Sequence, residues 1–98
     1  MPLTLHNPPH PGEILREYIT GIGKSVTAVA EGLASSRKHI SLILNGHTSI
    51  SAEMALKLAA AFGTTPDFWL NLQKNFDLWQ ARQKVDTSKI RNFLDEAA

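Results

Sequence analysis

The sequence predicts an all-α domain of five or six helices followed by a C-terminal helical extension. Three observations carry that prediction. Apolar residues recur at helical spacing, as in Ile14, Leu15, Tyr18 and Ile19 or Met54, Ala55, Leu58, Ala59 and Phe62. Pro11, Ser25, Ser36, Ser51 and Thr65-Pro66 supply cap and first-turn residues at the right places to start helices. Between Ser25 and Gly46 lie two short helices joined by a tight turn. A chain of 98 residues, 43% of them apolar, supports one modest core, to which dimerisation would add burial. The expected organisation is an arm over residues 1–10, a domain over 11–80 with its motif at 25–46, and the extension over 81–98.

Residues 1–10 carry prolines and little periodicity, so they read as an extended arm. Such an arm is either a disordered tail or a segment that packs along the body or touches DNA or a partner. His6 and His10 are four apart but sit among prolines, which argues against a metal site. Pro11 suits the first position of a helix because its missing N–H costs nothing there. Gly21 and Gly23 are expected to end that helix. Ser25 caps the next, whose inner face is marked by Val29, Ala30 and Leu33. Ala34-Ser35-Ser36 forms the turn, and Ser36 caps a helix anchored by Ile40, Ile43 and Leu44. Ser51 caps a fourth helix that Gly63 stops, with Lys57 on its outer face. Thr65-Pro66-Asp67 opens a fifth, where the acid complements the helix dipole. Gln80 to Asp86 reads as a polar bridge. Ser88 is then expected to cap a last helix with Ile90, Phe93, Leu94 and Ala97 on one stripe.

Chemistry concentrates on the third helix. Lys38, Ser41, Leu42 and Asn45 fall on one face, away from Ile40 and Ile43. Glu and Asp are absent from Gly32 to Ser51, while Lys24, Arg37 and Lys38, with His39 and His47, gather around the motif. The net charge is only +1, so a local basic patch on a near-neutral body is the relevant feature. That pattern suits a helix entering the major groove of double-stranded DNA. Arg37, Lys38 and Ser41 are the candidate base readers. Lys24, Ser25, Ser36 and Asn45 are candidates for positioning the phosphate backbone, the two serines because a helix N-terminus also holds anions. His39 and His47 are candidate phosphate contacts. Each has a plainer alternative: Ser25 and Ser36 as caps alone, Asn45-Gly46 as a helix end, and the cations as solvated surface.

These residues resemble the helix-turn-helix of the phage-repressor-like (Xre/Cro) family, which implies a lambda-repressor-like DNA-binding domain. Val29-Ala30, Leu33, Ser36-Arg37, Ile40-Ser41 and Asn45-Gly46 match its pattern. Two positions depart from it. Val26 stands where the family usually has a phosphate-contacting Gln, and Ala34-Ser35 stands where it has Gly and an apolar residue. Ala adopts a positive φ poorly. A longer resemblance, to HigA-type (VapI-like) antitoxins, rests on His10-Pro11-Gly12-Glu13-Ile14-Leu15, Ile50-Ser51-Ala52-Glu53-Met54-Ala55, Phe68-Trp69-Leu70-Asn71-Leu72-Gln73 and Asp77-Leu78-Trp79. It implies a small dimeric repressor of its own operon that binds and silences a RelE-like (HigB-type) toxin ribonuclease.

Trp69, Leu72, Phe76 and Trp79 repeat along the fifth helix, and Phe68 adds a further aromatic within twelve residues. Large apolar patches rich in aromatics mark partner surfaces. The stripe is therefore expected to form a homodimer or toxin surface, the alternative being ordinary core. Cys is absent, so thiol chemistry and zinc–thiolate sites are excluded. No nucleophile–base arrangement or paired carboxylates stand at a plausible site. No catalysis, metal or cofactor is expected. The longest apolar runs are far below the ~20 residues needed to span a bilayer, and no secretory signal is visible. A cytoplasmic, nucleoid-associated protein is the expectation. Two other readings remain: a stand-alone phage-type regulator without a toxin, and a protein-interaction module that uses the motif as scaffold.

Overall fold

The computed structural model describes residues 7–96. Residues 1–6 of the expected arm, and Ala97 of the expected last stripe, lie outside that range. The described chain is all-helical: α1 (Pro11–Ile22), α2 (Val26–Gly32), α3 (Arg37–Leu44), α4 (Ala52–Phe62), α5 (Pro66–Lys84) and α6 (Phe93–Glu96).

Local signals place most of the helix starts. The hydroxyls of Ser25, Ser36, Ser51 and Thr65 accept from the backbone N–H of Ala28, His39, Met54 and Phe68 respectively. Each bond satisfies one of the N–H groups that a helix start leaves without a partner. The start of α1 is different. His10 Nδ1 accepts from the Gly12 N–H at 2.9 Å, and Glu13 Oε2 accepts from the His10 N–H at 2.8 Å. The His10 ring is buried and meets Phe76 of α5 edge-on, with centroids 5.0 Å apart. A residue assigned by sequence to the arm is thus the reciprocal cap of α1 and a brace onto α5. At its other end α1 runs through Gly21 and stops at Ile22, with Gly23 in the left-handed region.

The core is assembled from one stripe of each main helix. Leu15, Ile40, Ile43, Ala55, Leu58 and Trp69 are fully inaccessible, and Ile19, Val29, Ala30, Leu33 and Met54 close around them. α4 packs chiefly on α5, and α3 packs on both α1 and α2. Gln73 enters this core as a polar tie. Its Oε1 accepts from the Ile50 N–H at 2.8 Å, and its Nε2 donates to Asp77 at 2.9 Å. Both ends of the buried amide are engaged, so its burial carries no unpaired-group penalty.

Three expectations change here. Trp69 is core, because α1 and α4 cover it: Tyr18 and Phe62 pack at a tilt against its ring at centroid distances of 5.5 and 6.4 Å, and its Nε1 donates to Thr64 Oγ1. Lys57 is half-buried rather than on an outer face, because its amine turns back to donate to the Ala34 carbonyl at 3.2 Å. The last helix starts late. α5 continues into the expected polar bridge as far as Lys84, and α6 covers only Phe93–Glu96. Asn92 Oδ1, rather than Ser88, accepts the first N–H groups there, from Leu94 and Asp95. Ser88 instead donates its backbone N–H to Asp86 Oδ1, and its hydroxyl and that N–H hold the Asp86 carboxyl below its ordinary value.

Every described residue from Gln80 onward is exposed, including Val85, Ile90, Phe93 and Leu94. The molecule is accordingly elongated, 58 × 28 × 23 Å.

Candidate nucleic-acid interface

α2 and α3 are joined by a turn that the sequence fills in an unusual way. The Ala34 N–H donates to Glu31 O at 3.0 Å and the Ser35 N–H to Ala30 O at 2.9 Å. That geometry puts Ala34 at φ 52°, the only non-glycine residue at positive φ among the described residues. A side-chain-bearing residue in the left-handed region costs roughly 1–2 kcal/mol. The expected poor fit of alanine is therefore realised. The turn holds because α2 and α3 are fixed from below and Lys57 supports the Ala34 carbonyl.

α3 is held on one side and open on the other. Ile40 and Ile43 are fully buried and Leu44 nearly so. Opposite them Arg37 and Lys38 are exposed. Among the described residues the ion pairs are Lys57–Glu53 and Arg91–Glu96, so neither cation of α3 is neutralised. Ser36 is exposed at the helix start, and Ser25 and Lys24 are exposed at the start of α2. Asn45 and His47 are exposed at the far end, whereas Ser41, Leu42 and His39 are half-buried. The structure thus brings Arg37, Lys38 and Ser36 together around one helix N-terminus, with Ser41 and Asn45 continuing the row. The N-terminal turn has its N–H groups, a serine and two cations without a carboxylate in its own first turn. Such a surface attracts phosphate and can donate hydrogen bonds to base edges.

Two residues of α1 that the sequence did not mark as part of the interface also build this surface. Arg16 of α1 donates from Nη2 to Asn45 Oδ1 at 3.4 Å, across a separation of 29 positions. Gly12 lies against the Ile43 carbonyl, which lets α1 approach the last turn of α3. Neither contact has a local sequence signal. The Trp69, Leu72, Phe76 and Trp79 stripe divides: Trp69 is core, Leu72 packs against the core, Phe76 is half-buried on His10, and Trp79 is half-buried on Phe76.

Comparison with known proteins bears on this geometry. Residues 15–69 match the helix-turn-helix family model. The antitoxin HigA-1 of Vibrio cholerae is 40% identical over 82 residues, spanning 83% of this chain and 77% of that one. An addiction module antidote protein of a HigA family from Coxiella burnetii is 46% identical and superposes with a TM-score of 0.78, covering 81% of this chain and 87% of its own. PA4674 of Pseudomonas aeruginosa, solved in complex with its 18 bp operator DNA, is 37% identical with a TM-score of 0.77, covering 82% and 87%.

Proposed function

The chain belongs to the helix-turn-helix family that includes HigA-type antitoxins, and from that premise we propose that it is the antitoxin and autorepressor of a type II toxin–antitoxin pair. As a homodimer it binds a palindromic operator, its two α3 helices entering successive major grooves about 34 Å apart. Arg37, Lys38 and Ser41 read base edges, with Arg37 suited to bidentate recognition of guanine. Lys24, Ser25, Ser36 and Asn45, with His39 and His47, hold phosphates on either side.

The observation that carries this reading is the two-sided character of α3. Its apolar side is fixed at 0% exposure by Ile40 and Ile43, and its cationic side is open and unpaired among the described residues. The toxin partner is a RelE-like (HigB-type) mRNA-cleaving enzyme. Support for such a partner comes from the exposed apolar side chains Leu78, Val85, Ile90, Phe93 and Leu94, which find no cover in the described chain.

Two measurements test the proposal. Binding to a duplex from upstream of its own reading frame should weaken steeply as salt rises, because each neutralised phosphate releases counterions. The product of an adjacent reading frame encoding a small basic ribonuclease should co-purify with the chain and lose activity in the complex. Salt-insensitive binding would contradict the operator role. A neighbouring ribonuclease that stays active and separate would leave a regulator without a toxin.

A further inference from the structure

The face of α3 ends in a contact with a different helix. Lys38, Ser41 and Asn45 form one row along α3, and Asn45 is its last member. At that point Arg16 of α1 donates to Asn45 Oδ1 at 3.4 Å, and both side chains are exposed. The orientation of the amide follows from the chemistry of its neighbour. A guanidinium has five N–H groups and no acceptor, so only the carbonyl end of Asn45 can face it. The Asn45 NH2 group is then turned away from Arg16, with its two donors available.

Arg16 itself has no carboxylate to satisfy it among the described residues. Glu13, one turn earlier on α1, is committed to the His10 N–H at 2.8 Å. Glu17 is adjacent in sequence, and successive helix residues do not face each other. Four guanidinium N–H groups and a positive charge therefore remain at the end of the α3 row. The backbone beneath is fixed: Gly46 N–H donates to Ile43 O at 3.0 Å and His47 N–H to Leu42 O at 2.8 Å.

We infer that Arg16 and Asn45 act as one donor-only clamp on a single DNA backbone phosphate at the C-terminal end of α3. Asparagine reads adenine by offering both its carbonyl and its amide to the base. With its carbonyl occupied by Arg16, Asn45 loses that option and keeps only donors. Donors alone match a phosphodiester, whose exposed oxygens are acceptors, and the adjacent guanidinium supplies the charge. Arg16 is thus both a positioning residue for Asn45 and a phosphate contact. The inference rests on the reading of α3 as the recognition helix and extends it to α1.

The test uses the full chain and a duplex from upstream of its own reading frame, titrated between about 50 and about 200 mM salt. Arg16→Ala should weaken binding about tenfold and lower the log–log salt slope by about one phosphate. The loss should be equal across duplexes carrying single base-pair changes. Asn45→Asp keeps an acceptor for Arg16 but replaces the donors with a carboxylate, so it should weaken binding at least as much. Asn45→Ala added to Arg16→Ala should cost little more, since the clamp is already gone. Both side chains are exposed, and the thermal midpoint of each variant should stay that of the parent chain. Wild-type affinity and slope in Arg16→Ala would overturn the clamp while leaving α3 as reader. A loss confined to one base pair would overturn the phosphate assignment. If Arg37→Ala/Lys38→Ala bound the duplex normally, the recognition reading would fall and the clamp with it.

Discussion

Gly12 of α1 rests directly on the carbonyl oxygen of Ile43, in the last turn of α3. A Cβ at position 12 would overlap that oxygen and come within 3.1 Å of His10 Nδ1. The obstacle is backbone, so it cannot swing aside as a side chain would. The glycine therefore sets the distance between α1 and α3, and with it the Arg16–Asn45 contact. Gly12→Ala should destabilise the fold by about 1–3 kcal/mol and weaken operator binding beyond what partial unfolding explains. Chemical denaturation and DNA titration of the same sample check this; an unchanged stability would mean that the two helices approach less closely.

Ala34 gives a prediction of opposite sign. Its φ of 52° belongs to glycine by preference. Ala34→Gly relieves the strain and costs some unfolded-state entropy, for a net gain of about 0.5–1 kcal/mol. Because Lys57 donates to the backbone carbonyl, its 3.2 Å bond survives the change. The thermal midpoint should rise by roughly 2–8 °C. A fall would show that the turn takes another conformation.

Gln73 ties α5 to the loop before α4. Gln73→Leu leaves the Ile50 N–H buried without its acceptor and should cost about 1–3 kcal/mol. Amide exchange at Ile50 should accelerate more than exchange in α1. Exchange that stayed as slow as in the parent chain would mean another acceptor takes over.

Two tryptophans ten residues apart should behave in opposite ways. Trp69→Ala empties the centre of the core and should cost about 3–5 kcal/mol. Trp79→Glu removes only a half-buried ring and should cost less, about 1 kcal/mol, while weakening self-association or toxin capture. Sedimentation and co-purification separate the two effects. If both stayed unchanged in Trp79→Glu, that residue would serve only the chain's own packing against Phe76 and no partner.

This contrast also marks how far the sequence could be read. Caps are local: a serine or threonine followed by helical periodicity announced α2, α3, α4 and α5, and each hydroxyl makes its bond. The inner faces of α2 and α3 followed from spacing alone. Burial of an aromatic is different, because it depends on what covers it. Trp69 and Trp79 carry the same local signal, yet only Trp69 falls beneath Tyr18 and Phe62. The capping role of His10 was not legible because imidazole is an uncommon cap, and its partner Phe76 lies far along the chain. Arg16 and Gly12 act through contacts with α3 that no spacing rule encodes. The late start of α6 reflects weak competition between Ser88 and Asn92 in a segment that no packing constrains.

Arg37 and Lys38 stand exposed at the start of α3 as its proposed DNA-reading pair. The decisive experiment replaces both with Ala and titrates the chain against its own upstream duplex. Specific binding should be lost with an unchanged thermal midpoint, since both side chains are exposed. Operator binding at the parent affinity would remove Arg37 and Lys38 from recognition.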